Sequence, residues 1–306
     1  MPYSVVFFGT QEFATTVLGG LLANPLFKIV AVITQPDRPV GRKKIMTAPP
    51  VKILANAKNI PVLQPETLKD FIFPNIPVPD FGIVAQYGNI IPQRILDWPT
   101  SGLINTHTSL LPKYRGASPV QAALLNGDSV TGLTIMQMDK GLDTGPILIQ
   151  EKIAIAPDDK YPEVEKHLAE IAVPNLVKAM QGLVNGSIKP IVQDNSLTST
   201  CGKLDRDSGR ADWSKSGTTI YNTFRALYPW PGMWTTWENN RLKLLDLKPT
   251  EKNLAPGQVL IENNCLFIGT SSEAIEVLHL QLEGKSAVSA KDFIAGYQRT
   301  NQALLI

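Results

Sequence analysis

The sequence predicts an α/β fold: a large, mostly parallel sheet built from βαβ units, followed by a small β-barrel. Three observations carry this. Short β-rich runs alternate with amphipathic stretches through the first half, which is the rhythm of βαβ units and a parallel sheet. After Ile188 the pattern changes to one helix and several short strands with turn signals every eight to twelve residues, the rhythm of a small barrel. At 306 residues the chain is long enough for two domains rather than one.

In chain order, Ser4 to Gly9 is predicted as the first strand, Phe13 to Leu22 as a helix, Lys28 to Thr34 as a strand and Val51 to Lys58 as a helix. Apolar runs at Phe81 to Ala85, Gly102 to Thr106, Gly132 to Met138 and Pro146 to Ile155 add strands, while Pro119 to Leu125 and Val164 to Leu183 have helical spacing. The polar stretch Gln193 to Thr200 reads as a linker or surface crossing. Domains are therefore expected at 1–190 and 206–306, joined by a linker at 191–205. In the second, a helix is expected at Thr218 to Leu227, with strands at Met233 to Trp237, Arg241 to Leu247, Gly257 to Ile261, Leu266 to Ile268 and Ala274 to Leu282.

Composition narrows the function classes. With 43% hydrophobic and 18% charged residues the chain can build full cores. The amino terminus lacks a basic region, and its apolar run is only five residues long, so neither secretion nor membrane insertion is expected and a cytoplasmic location follows. Cys201 and Cys265 show none of the paired spacing of a zinc site and are read as reduced structural thiols; no metal is expected. The net charge of +2, from 29 basic and 27 acidic side chains, predicts no global attraction to nucleic acid. That whole excess lies before residue 190, and Arg38, Arg42, Lys43 and Lys44 concentrate it locally.

Gly9-Thr10-Gln11 after the first strand invites a dinucleotide reading, which fails: the other fingerprint glycines are missing and the next acidic candidate is Asp37. The informative segment is Asn105 to Arg115. Asn105 and His107 end an apolar run and, two residues apart on a strand, project from one face. Ligands of open α/β sheets bind beyond the strand carboxyl ends, where an amide and an imidazole could serve acyl transfer by stabilising an oxyanion. Asp143 lies on a glycine-flanked excursion between two strands, which can aim a carboxylate or simply form an Asx-turn. Asp143-Thr144-Gly145 and Asp207-Ser208-Gly209 also resemble aspartic-protease triplets, but a βαβ half and a charged loop do not supply the required pair of lobes. His167 and His279 read as solvated or packed. The stretch Gln35 to Pro50, with four prolines, is either a solvated loop or a phosphate-contacting one.

Beyond single residues, the chain resembles the methionyl-tRNA formyltransferase family over nearly its whole length. The resemblance rests on Phe8-Gly9-Thr10, Thr34 to Arg42, Ala85-Gln86-Tyr87-Gly88, Asn105-Thr106-His107, Ser109-Leu110-Leu111-Pro112, Tyr114-Arg115-Gly116-Ala117 and Thr131 to Gly145. Asp212-Trp213, Arg225-Ala226-Leu227 and Pro229-Trp230-Pro231-Gly232 extend it into the last third. Thr200-Cys201-Gly202-Lys203 departs from the family's usual Tyr-Ala-x-Lys, and Asp207 to Ala211 is an atypical approach to Asp212-Trp213.

The resemblance implies a Rossmann-like formyltransferase domain and an OB-like, tRNA-binding second domain in a chain expected to act as a monomer. It implies transfer of the formyl group of 10-formyltetrahydrofolate to the α-amino group of methionyl initiator tRNA. Asn105, His107 and Asp143 match the family's catalytic trio, and Ser109, Leu110, Leu111 and Pro112 its folate-contacting segment. The loop with Arg38, Arg42, Lys43 and Lys44 matches the tRNA-engaging insertion. Relatives with the same trio formylate amino sugar nucleotides or glycinamide ribonucleotide, or hydrolyse 10-formyltetrahydrofolate. A non-catalytic RNA-binding protein and a nicotinamide oxidoreductase are the other classes considered.

Overall fold

The computed structural model describes residues 1–41, 43–74 and 76–296; Arg42 of the basic loop lies outside the described residues. The chain forms two compact units, one of residues 1–119, 130–154 and 165–202, the other of residues 120–129, 155–164 and 203–306.

In the first unit, β1 (Tyr3–Gly9), α1 (Glu12–Ala23) and β2 (Phe27–Ile33) open the sheet. The basic loop carries β3 (Arg38–Val40) and β4 (Ile45–Thr47); then come α2 (Pro50–Ala57), β5 (Val62–Leu63), β6 (Phe81–Ala85), α3 (Gln93–Leu96), β7 (Leu103–His107) and β8 (Arg115–Gly116). Past α4 (Pro119–Leu125), nearly all of which belongs to the second unit, β9 (Val130–Gln137) and β10 (Ile147–Ala154) complete the sheet; α5 (Tyr161–Asn185) belongs to the first unit from residue 165, and β11 (Thr200–Cys201) closes it.

The seven strands run in the order β10-β9-β7-β6-β1-β2-β5. Those from β7 to β5 are mutually parallel, whereas β9 is antiparallel to β7 and β10 to β9. Val5 to Phe8 and the whole of β6 are buried, as expected of central strands covered on both faces. Chain order reverses between β1 and β6, and in such sheets the crevice beyond the strand carboxyl ends at the reversal receives ligands. Leu168, Ala172, Leu176 and Ala179 form the buried stripe of α5, spaced three or four residues apart. Gly20 of α1 sits under this helix, where a Cβ would lie 2.6 Å from the Val173 side chain.

Two segments differ from expectation. The Gln35 to Pro50 stretch is no irregular loop: β3 and β4 pair as an antiparallel hairpin, Pro39 opposite Met46. Residues 191–202, within the expected linker, are held in the first unit. Ile191 exchanges both backbone hydrogen bonds with Ile147, and β11 pairs in parallel with β8, Cys201 opposite Gly116.

The second unit contains α6 (Gly217–Leu227), β12 (Met233–Trp237), β13 (Asn240–Asn253), β14 (Val259–Glu262), β15 (Cys265–Ile268), β16 (Glu273–Leu282), β17 (Val288–Ser289) and α7 (Ala290–Gly296). Its sheet is antiparallel throughout, in the order β12-β13-β16-β15-β14 with β17 on β16. The 14-residue β13 carries three register shifts, the bulges that let one long strand bend with a strongly curved sheet. Trp213, Phe224, Met233, Trp237, Ile268, Val277 and Phe293 share its core, and the buried Trp213 indole donates to Thr235 Oγ1 at 3.1 Å.

This unit also recruits residues 155–164, which follow β10 in the sequence. Arg225, 5% exposed, donates to the carbonyls of Ala156 and Asp159 and to Asn222 Oδ1. The Tyr221 hydroxyl donates to Asp158, and burial together with that carboxylate pushes it up to about 12. Arg225 of the Arg-Ala-Leu motif is therefore a structural clamp.

Candidate active site

Leu103-Ile104-Asn105-Thr106-His107 alternates, so Asn105 and His107 share a face of β7, and all five residues are buried. A buried imidazole needs partners. His107 Nε2 lies 3.0 Å from the Tyr114 carbonyl, which only accepts, so Nε2 carries a proton. In the neutral ring Nδ1 is then the lone-pair nitrogen, and it faces Asp143 Oδ1 at 3.7 Å, beyond hydrogen-bond range.

The Asp143 carboxylate is anchored elsewhere: the Gly116 N–H donates to Oδ2 at 2.8 Å. Asp143 holds a left-handed φ of 53°, uncommon for a non-glycine residue and found where the surroundings impose it. Those surroundings are tight. A Cβ on Gly145 would lie 1.9 Å from the Gln137 carbonyl oxygen, and Asp139 ties the turn by accepting from Gly141 N–H and Thr144 Oγ1. Gly116, with φ of 123°, is equally constrained, since a Cβ there would meet the Cys201 carbonyl oxygen at 2.1 Å. The Asn105 carboxamide has no hydrogen-bond partner among the described residues, which leaves its N–H groups free to donate to a substrate oxygen.

The following segment is fixed by β9 and β10. Thr134 Oγ1 donates to the Ser109 carbonyl at 2.6 Å and accepts from Leu111 N–H and Gln150 Nε2, while Gln150 Nε2 also donates to the Leu111 carbonyl. Ser109 and Leu111 are buried and Leu110 packs on Gly132. A ligand at Ser109 to Pro112 would therefore meet backbone and the rims of Leu110 and Pro112, with Ser109 and Leu111 acting as internal supports. At the end of β6, the Tyr87 carbonyl accepts from Thr10 Oγ1 and Gln35 Nε2, joining three strand ends, and Gln86 donates to Glu165.

The hairpin leaves β2 from the same edge of the sheet as His107 leaves β7, because the strands are parallel. At its root Asp37 accepts from Lys52 at 2.8 and 2.9 Å and from Gln64 at 2.7 Å; these bonds hold its carboxyl below the ordinary carboxylate range. Arg38 pairs with Glu66, whereas Lys43 and Lys44 are exposed beside Val40, Ile45 and Met46. The structure thus gathers Asn105, His107 and Asp143, adds the Tyr114 carbonyl and Gly116 N–H, and keeps the basic hairpin as a separate feature of the same edge. The two added groups are backbone atoms, invisible to a search for chemical side chains.

Among the described residues, no group of three or more His, Cys, Asp or Glu side chains could hold a metal ion, and no helix is long and apolar enough to cross a membrane. His279 of β16 lines a cavity of about 650 Å³ in the second unit with Lys160, Tyr228, Asp246 and Asp292.

A Rossmann-like sheet in which an interior strand ends in an amide and an imidazole, with a carboxylate 3.7 Å from the imidazole, is a scaffold for a group-transfer enzyme. The formyl transferase family matches residues 3–180, and the formyl transferase C-terminal domain matches residues 203–298. The methionyl-tRNA formyltransferase of Thermodesulfovibrio yellowstonii is 40% identical over 299 residues, covering 97% of this chain and 96% of that protein. That of Halalkalibacterium halodurans is 40% identical over 303 residues, covering 95% and 94%. A crystal structure of a sugar 3N-formyl transferase, determined with dTDP and 5-N-formyl-THF, shares the fold with a TM-score of 0.66 at 19% identity, covering 94% of this chain and 100% of the other. The chain belongs to the methionyl-tRNA formyltransferase family.

Proposed function

We propose that the protein transfers the formyl group of 10-formyltetrahydrofolate to the α-amino group of methionyl initiator tRNA. The observation that carries the reading is the convergence of Asn105, His107 and Asp143 at the carboxyl end of β7.

An α-amine has a reference pKa of about 7.7 to 8.0, so near neutral pH it needs positioning and a proton acceptor more than strong activation. Its nitrogen attacks the formyl carbon, forming a C–N bond and moving the carbonyl electron pair to oxygen. The free Asn105 amide donates to that oxyanion. In the neutral ring, with Nε2–H donated to Tyr114, His107 Nδ1 carries the lone pair that accepts the amine proton; the imidazolium then lies between the Tyr114 carbonyl and the Asp143 carboxylate. Collapse of the intermediate breaks the bond to folate N10, which leaves with a proton, and the products are tetrahydrofolate and formylmethionyl-tRNA. Ser109 to Pro112 and the Val84 to Ile91 loop offer backbone donors and acceptors suited to a flat pterin edge.

For the RNA, Arg38, Lys43 and Lys44 of the hairpin, together with Arg42, which precedes Lys43 in sequence, supply phosphate contacts, and the apolar Val40, Ile45 and Met46 can lie against the terminal base pair. The second unit adds a face the sequence does not locate: Arg241 stacks 3.8 Å from the Trp234 ring centre, Arg210 lies at 6.0 Å, and Lys243 is paired opposite Trp234. Cations interleaved with an indole suit a nucleic-acid backbone and bases. In this reading the protein acts as a cytoplasmic monomer with a catalytic domain and an OB-like tRNA-binding domain.

The test is formyl transfer from 10-formyltetrahydrofolate to initiator methionyl-tRNA, elongator methionyl-tRNA or an amino sugar nucleotide, with formate release followed in the absence of acceptor. A strong preference for the initiator tRNA is expected. Equal rates on both tRNAs would remove the specificity; transfer only to the sugar nucleotide, or formate release alone, would replace the function.

A further inference from the structure

Asp143 is held twice, and only one hold is in its own carboxylate. Gln193, 5% exposed and fifty residues further along the chain, donates from Nε2 to the Asp143 carbonyl at 2.8 Å and to the Gly145 carbonyl at 2.7 Å. Its Oε1 accepts from Arg115 Nε at 3.1 Å and Nη2 at 2.7 Å. Arg115, 7% exposed, spends its remaining reach on Asn195 Oδ1 at 3.0 Å. Arg115 also directly precedes Gly116, whose N–H grips the Asp143 carboxylate. These bonds form a closed ring: Arg115 fixes Gln193, Gln193 fixes the backbone of Asp143, and Gly116 fixes its side chain.

The chemistry of the ring is specific. A primary amide is the neutral group that can both donate twice to carbonyls and accept twice from a guanidinium. The left-handed backbone of Asp143 costs energy and persists only where something over-determines it. Gln193 does this from the carbonyl side, and so sets the distance and direction of the carboxylate at His107.

We propose that Gln193 is a positioning residue for formyl transfer, acting through Asp143 alone and oriented by Arg115. The proposal rests on the reading of Asp143 as a functional carboxylate, and the experiment separates the two. Gln193→Glu keeps the shape and the acceptor toward Arg115 but removes both donors. Gln193→Met removes the polar group altogether and serves if the first variant destabilises the fold. Steady-state kinetics are measured for each, for Asp143→Asn, and for each Gln193 variant combined with Asp143→Asn.

The expected result is a loss of kcat of roughly ten- to hundredfold in either Gln193 variant, in the range of a misplaced catalytic group. KM values for folate and tRNA should change less than about threefold, since nothing is removed from a binding surface. Asp143→Asn should lower kcat, and in that background the Gln193 variants should have no further effect. Unchanged kcat in both Gln193 variants, a parallel rise in KM, or additive losses in the double variants would overturn the positioning role. A silent Asp143→Asn would instead overturn the reading of Asp143.

Discussion

The two features on the ligand edge of the first unit are built on opposite principles. At the end of β7, His107 and Asp143 are buried or nearly so, and the groups that bond the His107 ring and the Asp143 carboxylate and carbonyl are the Tyr114 carbonyl, the Gly116 N–H and the buried Gln193 amide. The hairpin of β3 and β4 is exposed along both strands and attached by Asp37, Lys52 and Gln64 at its root. The contrast teaches where a formyl transferase needs rigidity. Group transfer depends on sub-ångström placement, whereas a phosphate backbone is engaged by charge that tolerates movement.

The sharpest attempt to break this contrast is Asn105→Ala. Loss of a preorganised oxyanion donor typically costs about a hundredfold or more in kcat, and a near-normal kcat in the formylation assay would reduce Asn105 to a packing residue. Next is Gly116→Ala. The new Cβ must collide with the Cys201 carbonyl, and the residue must leave a φ of 123°. Destabilisation of about 2 kcal/mol or more is expected, seen as a lower thermal midpoint accompanied by lost turnover.

On the hairpin the effects should be milder and of another kind. Replacing Arg38, Lys43 and Lys44 together with alanine should raise the KM for tRNA by up to about tenfold, leave kcat nearly unchanged, and flatten the salt dependence of binding by about two to three phosphate contacts. A drop in kcat without a change in KM would show that the hairpin, too, serves the chemistry. Asp37→Asn is the smallest perturbation. The folded carboxyl titrates below its ordinary value of 3.8, so its anchoring is complete above that value and disappears as pH falls through the lower folded one. Amide protection in β3 and β4 of the wild type should therefore hold through neutral and mildly acidic pH and fail only below the ordinary carboxylate range, while the variant loses it at neutral pH as well.

Legibility follows the same contrast. The sheet and the Asn105, His107 pair were readable because a polar pair closing an apolar β run is a local pattern. Asp143 was readable through its flanking glycines, although its anchor was not: Gly116 is 27 residues away and contributes only its N–H. Gln193 was hidden for a different reason. It opens a polar stretch that reads as linker, and its value comes from partners 48 to 78 positions distant. The hairpin was obscured by Pro39, which argues against a strand except at an edge, the place it occupies here. In the second unit, strand positions were legible, whereas recruitment of residues 155–164 depended on where the buried Arg225 finds carbonyls.

The short ladder between β8 and β11 bears on where this chain can be divided. The match to the formyl transferase family ends at residue 180, and a fragment cut at 190 would look complete by its sheet and by Asn105, His107 and Asp143. Such a fragment would lack Gln193, the Ser199 carbonyl that receives the Arg115 N–H, and the Cys201 carbonyl that receives the Ala117 N–H. The first compact unit therefore extends to Gly202, past the point where its sheet is complete.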